Sequence, residues 1–231
     1  WEEKKLGQLF CNQKSAAVLS ALLENCKKAD IELNAEVFAI KKENGYVLST
    51  NKRKYKAESL VIATGGPSIP KMGASDFGLK VAKQFGLKSI SFKPGLVPFT
   101  FYQQDISMYF KDLSGISIDV MVSCNHTSFK EGMLITHRGL SGPSILQISS
   151  YWNNGTPIEI NLLPDLNAAD YLLNIQQERG KMLLKNVLSK FFPNRLSERF
   201  ADTLSTKKLA NITLSEIKKN DLKIFGSCLN N

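Results

Sequence analysis

The most constraining feature of the sequence is a short apolar segment that runs directly into two glycines. Residues 60–63 read Leu-Val-Ile-Ala, apolar on both faces, which is typical of a strand buried inside a layered sheet. Thr64, Gly65 and Gly66 follow at once. Small residues at the carboxyl end of a buried strand let the backbone approach a ligand closely. We therefore expect residues 60–66 to be a strand and turn that face a ligand.

The order of elements before this segment favours a dinucleotide as that ligand. Apolar residues recur at helical spacing over 13–28, and Asn44-Gly45 is a strong hairpin signal between two apolar runs. The predicted elements are a helix over 13–28, a strand over 31–33, a hairpin over 37–48 and a third strand over 54–59. After the glycines we expect a helix over 76–85, a strand over 89–92 and a domain crossing over 94–98, where two prolines and a glycine resist regular structure.

The second half of the chain begins as a small sheet and ends in helices. Residues 116–123 alternate cleanly between apolar and polar, which predicts a half-buried antiparallel strand, with further strands over 133–136 and 158–162. The predicted helices cover 144–152, 171–178, 183–191 and 196–204, and Thr213 with Glu216 predicts a capping box. The late helices carry no acid–base constellation, which favours a packing role for them.

A loop with two glycines precedes the helix over 144–152. It reads His137-Arg138-Gly139-Leu140-Ser141-Gly142-Pro143, and proline suits the first helical position. Free N–H groups at a helix start can bind an anion or a carbonyl oxygen. The spacing alone favours a plain helix cap beside a surface histidine and arginine.

Charge and cysteine content exclude several classes of protein. The net charge of +9 is spread over both halves, with 15 basic against 9 acidic residues in 1–90 and 15 against 12 in 91–231. The densest run, Lys52-Arg53-Lys54 with Lys56, has no interleaved aromatic residues, which favours a solvated basic surface over a nucleic-acid site. Four scattered cysteines and two histidines predict no metal site and fit a reducing cytoplasm. Cys26 is expected in the core and Cys11 at the surface.

Two further expectations concern the context of the chain. Its aliphatic runs are too short for a membrane span, and no apolar signal-peptide region follows the first residues. The chain starts with Trp1 and not with Met, so we expect a piece of a longer, cytoplasmic protein.

Several stretches together resemble the BaiN-like family of bacterial FAD-dependent flavoprotein oxidoreductases, which are often NAD(P)-utilising. The resemblance runs from Trp1 to about Leu204 and is most specific in the proline and histidine motifs of the middle of the chain. The stretches are Gly7-x-Leu9-Phe10 with Gln13-Lys14-Ser15-Ala16, Ala63-Thr64-Gly65-Gly66-x-Ser68-x-Pro70-x-x-Gly73, Pro94-x-Leu96-Val97-Pro98, Thr136-His137-x-Gly139-Leu140-Ser141-Gly142-Pro143, and Asn161-Leu162-Leu163-Pro164. Gln8 stands where the family pattern has Arg, and Cys11-Asn12 also depart from it.

The resemblance implies an α/β plus α+β fold in two domains. Residues 1–95 would be part of a glutathione-reductase-like FAD-binding domain with a β-meander. Residues 96–231 would be an inserted, substrate-side domain, a β-barrel-like sheet with a helical part. The family's N-terminal G-x-G-x-x-G loop and its C-terminal return to the FAD domain have no counterpart in this sequence, so the chain resembles the middle of the enzyme and is expected to bind FAD poorly alone.

The resemblance also implies a cofactor, a donor and a site. FAD is the expected cofactor, NAD(P)H a candidate electron donor, and the catalytic candidate is His137. The residues implied in cofactor binding are Val37 near the adenine, Ala63, Thr64, Gly65 and Gly66 along the FAD, and Ser68, Pro70 and Gly73 in the flavin-side loop. The residues implied in a substrate-side loop with His137 are Gly139, Ser141 and Gly142.

The sequence therefore favours part of an FAD-dependent oxidoreductase acting on a small organic molecule, with no metal, no membrane and no nucleic-acid partner expected. Two alternatives stay open. One is a non-enzymatic basic module that binds nucleic acid or another anionic partner through its +9 charge. The other is a small-molecule binder that kept the fold and lost redox activity.

Overall fold

The chain divides into two units in a computed structural model, residues 1–90 and residues 91–231. The structure describes residues 1–4, 7–204 and 208–231. The predicted domain boundary after residue 95 stays a prediction.

The first unit is built around a three-stranded antiparallel sheet. Its strands are β3 (Val37–Glu43), β4 (Gly45–Thr50) and β5 (Lys54–Ala57), paired in that order. The predicted hairpin at Asn44-Gly45 and the predicted meander are confirmed. The other elements are β1 (Glu2–Glu3) paired with β2 (Leu9–Phe10), α1 (Lys14–Asn25) and α2 (Phe77–Gln84).

One face of this sheet packs against the α2 region. Ile40 is buried at 3% exposure, and Leu48 and Tyr55 stand opposite one another in the same cross-strand row. The Gln84 side-chain amide donates to the Ile40 carbonyl oxygen at 2.6 Å. The rings of Tyr46 and Phe85 meet edge to face at 6.1 Å. These contacts fix α2 across the apolar side of the meander.

The predicted buried strand over 60–63 is wrong. These residues have no regular structure, and Val61 is 84% exposed. A strand needs a neighbour for its backbone N–H and C=O groups, and the described strands of this unit pair only within β1–β2 and β3–β4–β5. The predicted strands over 31–33 and 89–92 are also irregular for the same reason.

The predicted first helix forms, but its apolar stripe stays exposed. Leu19, Leu22 and Leu23 are 57%, 60% and 49% exposed, and α1 buries none of its residues. Cys26, expected in the core, is exposed, whereas Cys11 is exposed as expected. The helical periodicity predicts the helix correctly, but no described element covers the face it defines.

The second unit opens with a five-stranded antiparallel sheet curved into a half-barrel. The strands are β6 (Phe99–Thr100), β7 (Ser117–Cys124), β8 (Thr127–Thr136), β9 (Gly139–Ser141) and β10 (Glu159–Asn161), in spatial order β10-β7-β8-β9-β6. The alternation predicted over 116–123 is confirmed, because Ile118, Val120 and Val122 are buried while Ser117 and Asp119 are exposed. A short helix α3 (Gln103–Asp105) continues into a π-helical turn, Ile106–Phe110, between β6 and β7.

Helices complete the second unit. They are α4 (Pro143–Ser149), α5 (Ala168–Arg179), α6 (Leu184–Leu188), α7 (Asn194–Thr203) and α8 (Lys219–Leu229). The predicted cap of α5 is confirmed, since the Asn167 side chain accepts from the Asp170 backbone N–H at 3.1 Å. The Thr213–Glu216 capping box is also confirmed, and it caps a single 3-10 turn before α8. Helix α6 is shorter than predicted.

One apolar core runs through the sheet and the helices of the second unit. Val120, Ile145, Leu172, Leu196 and Phe225 are each at most 1% exposed and belong to the same cluster. Helices α5 and α8 touch so closely that a side-chain carbon at Gly226 would lie 2.4 Å from the Ala169 Cα. The chain is thus a mixed α/β protein with a half-barrel sheet and helices. None of the helices in the described residues is long and apolar enough to cross a membrane.

Candidate functional site

The glycine turn after residues 60–63 lies open on the first unit. Ala63, Thr64 and Gly65 are exposed, and Gly66 is half-buried. Gly65 has φ of +70°, a conformation that favours glycine, and nothing lies within 4 Å of where its side chain would begin. The Ile62 and Thr64 side chains lie beside Gly78 of α2, at 3.5 and 3.8 Å from the position of a Cβ there. Helix α2 therefore supports the turn from one side and leaves its backbone open.

The loop that follows is shaped by one proline and one glycine. Pro70 opens a 3-10 turn, Pro70–Met72, and the Gly73 N–H donates to the Pro70 carbonyl oxygen at 3.0 Å. Gly73 has φ of +84° with open space before it. Ser68 is exposed just ahead of this turn. Like Gly65, Gly73 combines a left-handed backbone with room for a neighbouring group.

These residues fit an extended cofactor such as FAD. Two left-handed glycines with open space leave a stretch of backbone that a phosphate or ring edge can approach. Val37 stands apart in sequence as the first residue of β3, where it is half-buried and pairs with Thr50. Residues 63–73 form one continuous open segment, and Val37 belongs to the neighbouring sheet.

His137 lies at the tip of a tight turn in the second unit. The turn joins β8 to β9, and the Thr136 hydroxyl donates to the Gly139 carbonyl oxygen at 3.0 Å while accepting from the Arg138 backbone N–H at 3.2 Å. His137 and Arg138 are exposed. The turn therefore presents both side chains to solvent from the end of a rigid sheet.

Backbone packing explains the two glycines of this loop. A Cβ at Gly139 would lie 2.2 Å from the Phe99 carbonyl oxygen of β6, and one at Gly142 would lie 2.7 Å from the Gly132 carbonyl oxygen of β8. Both glycines also have positive φ, 146° and 93°. Any larger residue would force neighbouring strands apart, so the motif has a structural reason that needs no ligand.

The rest of the loop forms the predicted start of α4. Pro143 occupies the first turn, and no side chain caps the helix at Gly142. Ser141 is half-buried opposite Leu134, and the buried Ser144 hydroxyl donates to the Gly132 carbonyl oxygen at 3.1 Å. The loop from Gly139 to Ser144 is held by the sheet, which leaves His137 and Arg138 as its side chains most open to solvent.

The densest basic run is partly neutralised by an acid that the sequence pattern does not connect with it. Glu32 lies 3.3 Å from the Lys52 ammonium and 2.9 Å from the Arg53 guanidinium, and it also accepts from the Tyr55 hydroxyl. The Tyr55 hydroxyl and the Arg53 guanidinium lower the pKa of Glu32 to about 2. The only sequence signal is the meander itself, which turns the 52–55 segment back toward residues before β3.

No metal centre takes shape in the part of the chain that the structure describes. Within residues 1–4, 7–204 and 208–231, no three His, Cys, Asp or Glu side chains lie close enough to hold an ion. The cysteines are all free thiols, with Cys124 buried and Cys228 half-buried.

Comparison with known proteins gives one family and several relatives. The HI0933-like protein barrel and H2TH domain matches residues 93–230. The chain is 39% identical to the ribosomal RNA dihydrouridine synthase of Escherichia coli (strain K12), over 99% of this chain and 57% of that protein. It is 36% identical to the protein of the same name from Haemophilus influenzae (strain ATCC 51907 / DSM 11121 / KW20 / Rd), over 94% of this chain and 56% of that one.

A more distant relative connects with the resemblance noted from the sequence. The 3-dehydro-bile acid delta(4,6)-reductase of Clostridium scindens (strain ATCC 35704 / DSM 5676 / VPI 13733 / 19) is 23% identical over 92% of this chain and 55% of that protein. The BaiN-like resemblance is thus supported as a distant one within a wider group. The chain spans a little over half the length of each of these relatives.

Proposed function

The chain belongs to the HI0933-like family, and from that premise we propose that it is part of an FAD-dependent reductase that converts uridine in ribosomal RNA to dihydrouridine. The observation that carries the proposal is the 39% identity to a ribosomal RNA dihydrouridine synthase, which extends over 99% of the chain and so covers both units. A second relative of the same name, at 36% identity, supports the same substrate class.

The proposed reaction is a two-electron reduction of a carbon–carbon double bond. Dihydrouridine has one more hydrogen on each of two adjacent ring carbons than uridine. One carbon receives a hydride and the other a proton, so that NAD(P)H, a proton and uridine give NAD(P)⁺ and dihydrouridine. FAD, when bound, supplies the hydride transfer, and the protein contributes binding, orientation and proton management.

In this proposal the first unit contributes part of the FAD site. Gly65 and Gly73 keep the 63–73 backbone open to the cofactor, and Pro70 fixes the loop between them. Ala63, Thr64, Gly66 and Ser68 line the same segment, and Val37 lies beside the adenine. Residues 1–95 would then be part of the FAD-binding domain and residues 96–231 the inserted, substrate-side domain.

His137 is the proposed proton donor in the second unit. Its ring is exposed, and the Thr136 hydroxyl fixes the turn that carries it through two hydrogen bonds, at 3.0 and 3.2 Å. A positioned imidazole is the commonest general acid in enzymes. Gly139, Ser141 and Gly142 hold this turn against β6 and β8, so they act by positioning His137.

An RNA base replaces the small free molecule that the sequence favoured. The names of the Escherichia coli and Haemophilus influenzae relatives support RNA, and the net charge of +9 suits a polyanionic substrate. This function joins the two main hypotheses from the sequence, because an enzyme of this kind must also bind nucleic acid.

The test is the dihydrouridine content of ribosomal RNA in a strain that lacks the gene. Nucleosides from purified ribosomal RNA are quantified by mass spectrometry in the parent, the deletion strain and the complemented strain. We expect dihydrouridine to fall on deletion and to return with the wild-type gene. Unchanged dihydrouridine in the deletion strain would sink the RNA substrate.

The same assay separates the proposed roles of the two units. Full-length His137→Ala should retain FAD after desalting, seen in its visible spectrum, but restore little dihydrouridine. Full-length Gly65→Leu should lose FAD. Gly86→Leu is its matched control, because Gly86 has the same left-handed backbone, φ of +71°, and the same open surroundings but lies outside the proposed site. Equal flavin retention in the two leucine variants would remove residues 63–66 from the FAD site.

A further inference from the structure

We propose that the outer face of the β3–β4–β5 sheet binds the phosphate backbone of the RNA through Lys41, Lys54 and Lys56. This inference rests on the proposed RNA substrate and adds to it a surface that holds the nucleic acid. We call these three residues the lysine face.

The register of the sheet places the three lysines on one side. Lys41 of β3 and Lys56 of β5 both stand opposite Val47 of β4, and Lys54 stands opposite Ser49. Residues directly opposite in a sheet project to the same face, and so do residues two apart on one strand. Lys54 and Lys56 are therefore about 7 Å apart along β5, and Lys41 lies two strands away in the same row as Lys56.

The lysine face is the outer face of the sheet. The opposite side carries Ile40, Leu48 and Tyr55 and packs against the α2 region. All three lysines are exposed, whereas Val47 and Ser49 between them are half-buried. Lysines are almost never fully buried without a partner, since an unpaired buried ammonium is costly. The face is therefore expected to stay open to water whatever packs elsewhere on the unit.

Ion pairing separates these lysines from the other cations of the unit. Lys52 and Arg53 are held by Glu32, and Lys80 lies 2.8 Å from Asp76 on α2. In the described part of the chain, no ion pair joins Lys41, Lys54 or Lys56 to an acid. The remaining acid on this face is Glu43, which stands opposite Gly45 at the hairpin end of the sheet. The positive charge left without a partner is thus concentrated at the other end of the face.

The chemistry of the face selects phosphates over bases. Its neutral members between the lysines are Ala39, Val47 and Ser49, which offer no aromatic ring on which a base could stack. Lysine ammonium groups bind phosphate as point charges and read no sequence. The lysine face therefore supplies affinity and positioning, while the choice of the uridine falls to other parts of the protein.

The test compares two triple variants of the full-length protein that change the net charge equally. One is Lys41→Gln/Lys54→Gln/Lys56→Gln. The control is Lys52→Gln/Arg53→Gln/Lys80→Gln, which removes three cations of the same unit that are already in ion pairs. Binding of a fluorescein-labelled single-stranded RNA of mixed sequence is followed by anisotropy at a series of KCl concentrations. Circular dichroism and the flavin spectrum check that each variant is folded.

We expect the lysine-face variant to bind RNA about tenfold more weakly than the control variant, and its salt dependence to be shallower by about 2 in log–log slope, since each lost phosphate contact on a single strand removes about 0.7. Its rate of flavin reduction by NAD(P)H should be unchanged. Equal affinity and equal slope in the two variants would overturn the lysine face.

The proposed function can fail separately from this inference. If wild-type protein restores dihydrouridine and both variants bind RNA equally, the function stands and the surface is wrong. If deletion of the gene leaves dihydrouridine unchanged while only the lysine-face variant loses RNA binding, the surface stands and the reaction is wrong. If the wild-type protein does not bind RNA, both are wrong.

Discussion

The two units use similar apolar segments with opposite results. In the second unit, the apolar residues of β7, α4, α5, α7 and α8 meet in one buried cluster. In the described part of the first unit, the buried apolar side chains are Ile40 and Val81, while Leu19, Leu22 and Leu23 of α1 lie open to solvent. The difference teaches that hydrophobic periodicity determines which face of an element is apolar but not whether that face is covered.

The consequence is a difference in independent stability. A domain is held by the apolar area it removes from water, at about 25 cal/mol per Å², against a loss of conformational entropy of similar total size. The second unit buries a full core by itself, whereas the first leaves its main helix without one. We therefore expect the first unit to depend on further polypeptide that packs against the α1 stripe.

The largest effect is expected when the two units are expressed separately. Residues 91–231 should unfold cooperatively, with a free energy of unfolding of about 5–15 kcal/mol, the usual range for a domain with its own core. Residues 1–90 should show no cooperative transition, and their amides should exchange quickly outside the meander. Thermal melts by circular dichroism and hydrogen exchange measure both. A sharp transition in isolated 1–90 would break the comparison.

The next effect tests the same contrast with a single leucine in each unit. Leu172 on α5 is 1% exposed, and Leu22 on α1 is 60% exposed. Leu172→Ala should destabilise isolated 91–231 by about 3 kcal/mol, because a buried truncation loses transfer energy and leaves a cavity. Leu22→Ala should change the stability of a protein comprising residues 1–231 by less than about 0.5 kcal/mol. Urea denaturation followed by tryptophan fluorescence and circular dichroism gives both values.

A different result from the leucine pair would sharpen the comparison. If Leu22→Ala also costs about 3 kcal/mol in the full-length protein, and not in residues 1–231 alone, then the α1 stripe is covered by polypeptide outside this chain. If it costs that much in residues 1–231 alone, the stripe is covered within them, and the difference between the units disappears.

The same contrast explains which structural features were predictable from the sequence. The Asn44-Gly45 hairpin, the alternation over β7 and the caps at Asn167 and Thr213 depend on neighbours within a few residues, and each prediction is confirmed. The strand over 60–63 depends on partner strands elsewhere in the fold, and without a described partner its backbone forms no ladder. Local patterns were sufficient where the structure depends on local contacts.

The candidate site follows the same division. The sequence identified the open glycine turn at Gly65 and the exposed His137, because both depend on local backbone geometry. It did not show that Gly139 and Gly142 are needed for contacts with β6 and β8, since the strands that crowd them lie at other positions along the chain. It also did not show that Glu32 neutralises part of the basic run, because that pairing arises only when the meander closes.

The smallest effect concerns that pairing and the pH dependence of the first unit. The pKa of Glu32 falls from 4.5 to about 2, mainly through the Tyr55 hydroxyl and then the Arg53 guanidinium. A carboxylate whose pKa is lower in the folded state stabilises that state above its unfolded pKa, and this contribution is lost as the pH falls through the folded value. The meander should therefore weaken between about pH 4.5 and about pH 2.

Glu32→Gln isolates this contribution, because glutamine keeps the shape and the hydrogen-bonding capacity without the charge. The variant should show a flatter pH dependence of meander hydrogen exchange in that interval, and Glu36→Gln serves as a control of the same charge change, since Glu36 forms no ion pair among the described residues. The effect should be small, because the carboxylate is solvent-accessible and salt screens its partners. Identical profiles for Glu32→Gln and wild type would show that the first unit is held by its few apolar contacts alone, and the contrast with the second unit would then be one of buried area only.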